Sequence, residues 1–405
     1  MKKHSKDASI FSLIIGIGLS TNAVYAESIF DSVSVDLAAT SRFYLQDMDS
    51  NVQTLQNNQA KPRKLSYGSR LELKFNHKYQ DVKFGARILG NWDKVDIERR
   101  YVDIREASAY KSWDDISVGG GIDTFFWGVS ESINLINVLN QSDVIASLDG
   151  KVKLGQTFVS LHHRIFNGDI TVYYLPTFRE RSFPQRPSFG GQIVHTSIFE
   201  DDKKRGGIAA RGVFYHNNVE FSLGYFKGTR RDPLFIKLSS KQAQLIPYYL
   251  QTENYLFDGV YLGTDATYKL EIKTGKEQSK GFFASNIGIE YPIFSLPTIL
   301  QDLVLIAEYV FDDRGNTVES HGQNDIFIGT KFELTSSGNT QVRFLFSYDF
   351  DYKSQYAEIS YQYRITDYVR IKAKMMGVLK DSTNDLRLHP LANEEFIKMS
   401  IHYAF

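Results

Sequence analysis

The chain is built from short runs in which apolar and polar side chains take turns. In NTQVRFLFSYDF, Val342, Phe344, Phe346, Tyr348 and Phe350 share one face, and Gln341, Arg343, Ser347 and Asp349 share the other. The next run, YAEISYQYRI, sets Ala357, Ile359, Tyr361, Tyr363 and Ile365 against Glu358, Ser360, Gln362 and Arg364; DYVRIKAKM sets Val369, Ile371, Ala373 and Met375 against Arg370, Lys372 and Lys374. Successive residues of a strand point to opposite sides, so each run predicts a strand with one oily and one charged face. The last residues, FIKMSIHYAF, keep the same period, with Ile397, Met399, Ile401, Tyr403 and Phe405 opposing Lys398, Ser400 and His402.

The pattern recurs along the chain and predicts about 18 strands, with 16 the alternative count, including runs at roughly 115–127, 153–163 and 168–178. Most reach about 9–11 residues or a little more, the length of a tilted strand crossing a bilayer. The links alternate between two kinds. Tight ones fall at Gln80-Asp81, Asp114, Asn167, Asn217, Gly263-Thr264, Ser336 to Gly338 and Thr366, with a longer member at Ser295 to Gln301. Between them come 47–64, 128–152, 179–205, 229–248, 313–323 and 380–394. In a soluble sandwich each oily face would be core, but nothing there calls for alternating link lengths. A transmembrane antiparallel up-and-down β-barrel does, with short periplasmic turns and long extracellular loops. The expected fold class is therefore all-β, with one barrel over residues 27–405 and, at an even strand count, both ends on the periplasmic side.

The N-terminus supports export. Lys2, Lys3 and Lys6 precede a mostly apolar stretch from Ala8 to Leu19, and Val24-Tyr25-Ala26 presents small residues where a signal peptidase reads. Residues 1–26 are expected to be a cleaved signal peptide, and the cell outer membrane of a Gram-negative bacterium the destination. No later run approaches the roughly 18 apolar residues of a membrane helix, so a bilayer would be crossed by strands. Lys and Arg number 47, as do Asp and Glu, which gives no global reason to expect nucleic acid. The absence of cysteine excludes disulfides and thiolate zinc sites. Aromatic residues make up 14%, and Tyr173, Tyr225, Tyr291, Tyr309, Tyr348 and Tyr403 fall near strand ends, where a girdle would sit.

A barrel of about 18 strands is too wide for side chains to fill, so its lumen is either watery or narrowed by a folded-in segment. The inward faces are expected to carry Glu290, Glu308, Asp312, Lys331, Glu333, Arg343, Asp349, Glu358, Arg364, Arg370, Lys372 and Lys374. These read as interstrand ion pairs or as a selectivity lining. In FFWGVSESINLINVLNQSD, Leu135 and Leu139 recur at helical spacing amid polar residues, and Glu131, Asn134, Asn137, Asn140 and Asp143 are the candidates for a constriction. The same stretch also reads as an ordinary extracellular loop. Arg179, Arg181 and Arg186 in YYLPTFRERSFPQRP, with Arg230 and Arg231 in GTRRDP, could attract carboxylates or phosphates at a pore mouth. They could equally meet lipopolysaccharide phosphates or pair with Glu180 and Asp232. In EYVFDDRGN, Asp312 and Asp313 lack the rest of a calcium pattern, and pairing with Arg314 is expected. No metal or cofactor is expected.

Taken in order, DIREASAY with FFWGVSESINLINVLNQSD, YYLPTFRERSFP, YFKGTRRDP, PYYLQTENYLFDG, Lys269-Leu270-Glu271, IGIEYPIF, LVLIAEYVFDDRGN and NDIFIGTKFEL resemble a proteobacterial family of porin-like outer-membrane proteins. The resemblance covers about residues 100–335 and implies a single outer-membrane barrel related in architecture to alginate-export-type porins; it carries no substrate. The C-terminal stretch resembles the signal read by the barrel assembly machinery, with Lys398, Tyr403 and Phe405 on its marked positions and Ser400 where Gly is usual. The function expected is a porin-like channel for passive diffusion of small polar or anionic solutes, not an enzyme. Alternatives are a conduit for hydrophobic compounds, an adhesive or structural barrel, or a hydrolase. The alternation begins too near the predicted mature N-terminus to leave room for a plug domain. Ser160, His162 and His163 invite the hydrolase reading, yet no Gly-x-Ser-x-Gly or His-Glu-x-x-His stretch accompanies them. Expected partners are outer-membrane lipid, lipopolysaccharide, the assembly machinery, a small solute and, by analogy with large porins, two further copies in a homotrimer.

Overall fold

The computed structural model describes residues 31–45, 65–184, 192–193, 196–202, 205–239, 242–294, 300–318, 320–334, 340–392 and 395–405. The wall is an 18-stranded antiparallel sheet. Its strands are β1 Ser32–Tyr44, β2 Leu65–Tyr79, β3 Val82–Asp93, β4 Tyr101–Trp113, β5 Ile116–Asp123 and β6 Gln156–Ile165. They continue with β7 Gly168–Leu175, β8 Gly207–His216, β9 Val219–Thr229, β10 Gln251–Leu262, β11 Thr267–Glu277 and β12 Lys280–Ile293. The last are β13 Leu300–Asp312, β14 Asn324–Leu334, β15 Thr340–Asp349, β16 Gln355–Arg364, β17 Val369–Lys380 and β18 Phe396–Ala404. Each pairs with its sequence neighbours, and β18 returns to β1 with Asp36 opposite Ala404 and Tyr44 opposite Phe396. Phe405 extends this seam by exchanging backbone hydrogen bonds of 2.8 and 3.0 Å with Val35. Closure leaves the wall without a free edge.

The alternation in sequence becomes an alternation across this wall. Ile287, Leu305, Ile328, Ile359, Met399 and Ile401 point outward and are exposed, whereas Asn286, Ile306, Glu308, Phe327 and Glu358 point inward and are buried. An outward face this apolar all round far exceeds the patch of a few hundred Å² that a soluble monomer tolerates. It suits hydrocarbon. Turns at one rim are tight, with Gln80, Asp114 and Asn217 at φ of 52°, 44° and 50° to reverse the chain within two residues. On the other rim one link is as short: Gln278 and Ser279, at φ 48° and 63°, make a turn of the type whose twist matches the strands.

Three predicted strands are shorter than the sequence suggests. The run 115–127 stops at Asp123, 153–163 begins at Gln156, and 168–178 stops at Leu175. Their alternation continues past the wall because the chain stays apolar where it turns into the lumen. The stretch 229–248, expected as a loop, contains a hairpin of Leu234–Ser239 and Gln242–Tyr249, joined in parallel by Gln192–Ile193 and Ile198–Phe199. Tyr173 is not a girdle residue: it packs inside against Phe125 and Trp127. The signal segment, the link 47–64 and the turn Ser336 to Gly338 lie outside the described residues.

Candidate functional site

The lumen is narrowed by the chain between β5 and β6. Asp123 and Gln156 sit opposite each other in the wall, so residues 124–155 leave and return at one point as a loop far longer than ordinary connections. Asn140 closes the neck: its amide donates to the carbonyls of Asp123 and Leu154 (2.9 and 2.8 Å), and its oxygen accepts from Phe125 N–H at 2.8 Å. Beyond the neck the segment lies against the inner wall. Trp127, Ile133, Leu135, Ile136, Val138 and Leu139 pack on Phe158, Leu175, Phe226, Leu256, Val310, Phe327 and Leu345. Burying each large apolar side chain contributes roughly 1.5–3 kcal/mol, which seats the segment firmly.

Wall carboxylates complete the attachment. Glu271 accepts from the N–H groups of Val129, Ser130 and Leu135 at 2.7, 2.9 and 2.6 Å, and Glu308 from Glu131 and Ser132 at 2.6 and 2.8 Å. The Ser132 hydroxyl also donates to Glu308, and Asn286 donates to Ile133 O at 2.9 Å. A segment without regular structure has no internal ladder for its buried N–H groups, so acceptors must come from the wall. Asp143 binds Arg105 and the N–H of Ala146, further up the same segment.

Opposite this segment the wall carries an arc of cations. Along one hydrogen-bonded row, Lys331 faces Arg343, Arg343 faces Ser360, Ser360 faces Lys374, Lys374 faces Lys398, and Lys398 faces Arg42. Nearer the tight-turn rim, Arg364 faces Arg370 and Arg370 faces His402. Like charges directly opposite one another destabilise a sheet, so this row works against folding. Three carboxylates relieve it in part. Glu358 lies 3.4 Å from Arg343 and 2.9 Å from Lys374, Glu131 lies 2.7 Å from Lys331, and Asp149 lies 2.5 Å from Lys374. Burial pushes the Asp149 carboxyl up, but the Lys374 ammonium outweighs it and holds the group at about 2. Glu131 is likewise held low by Lys331 and Lys269 against the effect of burial.

Two chambers meet at these ion pairs. A cavity of about 720 Å³ on the tight-turn side is lined by Arg70, Lys331, Arg343, Lys372, Lys374 and Lys398, with Glu333 the one carboxylate among its described lining. A cavity of about 400 Å³ on the long-loop side is lined by Glu131, Asn134, Asn137, Asp149, Arg231 and Arg387, among others. The wall partners line the first and the segment's carboxylates line the second, so Glu131–Lys331 and Asp149–Lys374 stand between the two.

Of the other residues read as inward-facing, Glu290 pairs with Lys269 at 2.6 Å, Arg370 with Asp36 at 3.7 Å, and Glu333 accepts from Gln341 at 2.8 Å. Asp312 pairs with Arg314 at 2.6 Å, and among the described residues no group of side chains is placed to hold a metal ion. Of the arginines expected to attract anions at a mouth, the four that are described are engaged in holding loops. Arg179 binds Asp103, and Arg181 binds Asp232 and Gln141. Arg230 is buried on Glu277 at 3.0 Å, and Arg231 is buried on Leu139 O at 2.8 Å between the rings of Phe178 and Phe226. Burial pushes the Arg231 guanidinium down to about 9, so it stays charged while only a small part of it reaches the smaller cavity. For Arg230 and Arg231 the mouth role is corrected on this ground; Arg186 lies outside the described residues. His162 places its ring nitrogens 3.1 Å from the Thr171 hydroxyl and 3.3 Å from Asp169, away from any role as base to Ser160. Sequence reading missed Glu271, Asp149, Arg42 and Arg70, and took Lys398 only as an assembly mark. Strand parity could have placed Glu271 inward, since Leu270 and Ile272 flank it; Arg42, between Ser41 and Phe43, carries a weaker mark.

The architecture defines a transmembrane β-barrel with a polar lumen and an inserted segment. Searched against known families and characterised proteins, the chain matches none. Among solved structures it is similar to a triple mutant of Rhodopseudomonas blastica porin, at 14% identity and TM-score 0.45, over 92% of this chain and 99% of that one. It is also similar to a loop-deletion mutant of OmpT, an outer membrane protein of Vibrio cholerae, at 10% identity and TM-score 0.41, over 92% and 98%. At that distance the likeness carries no argument, and the barrel rests on this chain's own strand pairing.

Proposed function

We propose that this protein is an outer-membrane channel through which small polar and anionic solutes diffuse passively. The observation that carries the reading is the cationic row from Lys331 to Arg42, which the inserted segment meets through Glu131 and Asp149, inside a barrel whose outward face is apolar. A row of like charges that weakens the sheet is understandable if it meets a counter-charge that comes and goes. Export by a cleaved signal peptide, contact with lipopolysaccharide, insertion by the barrel assembly machinery and a trimeric assembly are part of the same proposal. Refolded protein added to a planar bilayer should give discrete conductance steps. A correctly folded barrel that never conducts contradicts the proposal.

A further inference from the structure

The carboxylates in the lumen divide into two sets. Glu271 and Glu308 are fully buried and hold the backbone of the inserted segment. Glu131 and Asp149 belong to the segment itself and reach the other way, onto the wall cations. The Glu131–Lys331 pair is open to the lumen, with side-chain exposures of 24% and 37%. Beside Lys374, directly opposite in the sheet, stands Lys398, which has no carboxylate partner among the described residues. On its other side in the sheet stands a further cation, Arg42. Paired backbones lie only about 5 Å apart in a sheet, so two anionic groups on one short solute could reach both lysines.

We propose that Lys374 and Lys398 form the core of a binding site for small dicarboxylates, and that Glu131 and Asp149 are built-in competitors occupying the cation arc while it is empty. This rests on the channel reading and specifies its solute. A dicarboxylate entering the larger chamber displaces Asp149 from Lys374 with one end, and its other end meets Lys398, which no carboxylate among the described residues neutralises. Carboxylates are favoured over other anions because the groups the fold itself seats on the arc are carboxylates. A dianion is favoured over a monoanion because attraction to a cluster of cations grows with ligand charge in a low-dielectric, partly enclosed space.

The test is calorimetric titration of succinate into refolded, detergent-solubilised protein, with heat-modifiable gel mobility confirming the barrel for every variant. Wild type should bind saturably, and acetate should bind about tenfold more weakly. E131Q/D149N, which removes the competitors, should tighten succinate severalfold; K398M should weaken it about tenfold or more. Unchanged affinity in K398M, no binding to either wild type or E131Q/D149N, or tighter binding of inorganic phosphate than of succinate overturns the dicarboxylate site. Conductance of the same preparation separates the two claims. An open pore without a succinate site sinks this inference alone, and a succinate site in a barrel that never conducts sinks the channel reading.

Discussion

Glu271 does for the inserted segment what a cap does for a helix end: it supplies acceptors to N–H groups that local structure leaves orphaned. Leaving a buried donor unmade costs about 1–3 kcal/mol each, so E271A should loosen the segment while the strands stay paired. Limited proteolysis should then cut within 128–152 in the variant and not in wild type; equal protection would show that apolar packing alone holds the segment. Asp149 sets the acid limit. Its folded carboxyl is depressed to about 2 by Lys374, so the pair is intact above the ordinary Asp value of about 3.9 and is lost as pH falls through 2. Conductance should be flat between pH 7 and 5 as far as this pair is concerned, and change only below about pH 3. D149N should reduce that acid change, and E131Q/D149N should abolish it.

At the scale of elements, strand existence was plain in the sequence, because a wall with oil on one side and water on the other forces a period of two. Lys372, Lys374 and Arg370 alternate with Ile371 and Ala373, and the wall places them as that period requires. The segment 124–155 was legible as a candidate for folding into the lumen, but not its form. Leu135 and Leu139 recur at helical spacing, yet the segment forms no helix, since it is surrounded on several sides and has no single polar face. Its acceptors, Glu271 and Glu308, lie more than a hundred residues away and carry no local sign of that task. The arginines of the long loops misled for the opposite reason: a cluster in sequence reads as a cluster in space, but Arg230 and Arg231 turn inward to separate partners. Since Asp123 and Gln156 are already neighbours, replacing 126–153 by a short glycine–serine turn should leave a heat-modifiable barrel. Its conductance should exceed that of wild type severalfold; an unchanged value would mean the segment is not the constriction.

Across the whole molecule the charges balance, with 47 basic and 47 acidic side chains, but their placement does not. Glu271 of β11 and Glu308 of β13 are occupied with the inserted segment, and cations of β2, β14, β15, β17 and β18 remain around the larger chamber. A neutral protein can therefore present a strongly positive path, because field in a cleft depends on which charges are left facing it. The most direct measurement is the reversal potential of single channels in a tenfold KCl gradient. Its sign should report preference for chloride, and replacing Lys331, Lys374 and Lys398 together by methionine should move it toward zero or beyond. Preference for potassium in the unaltered protein would contradict the account at its centre.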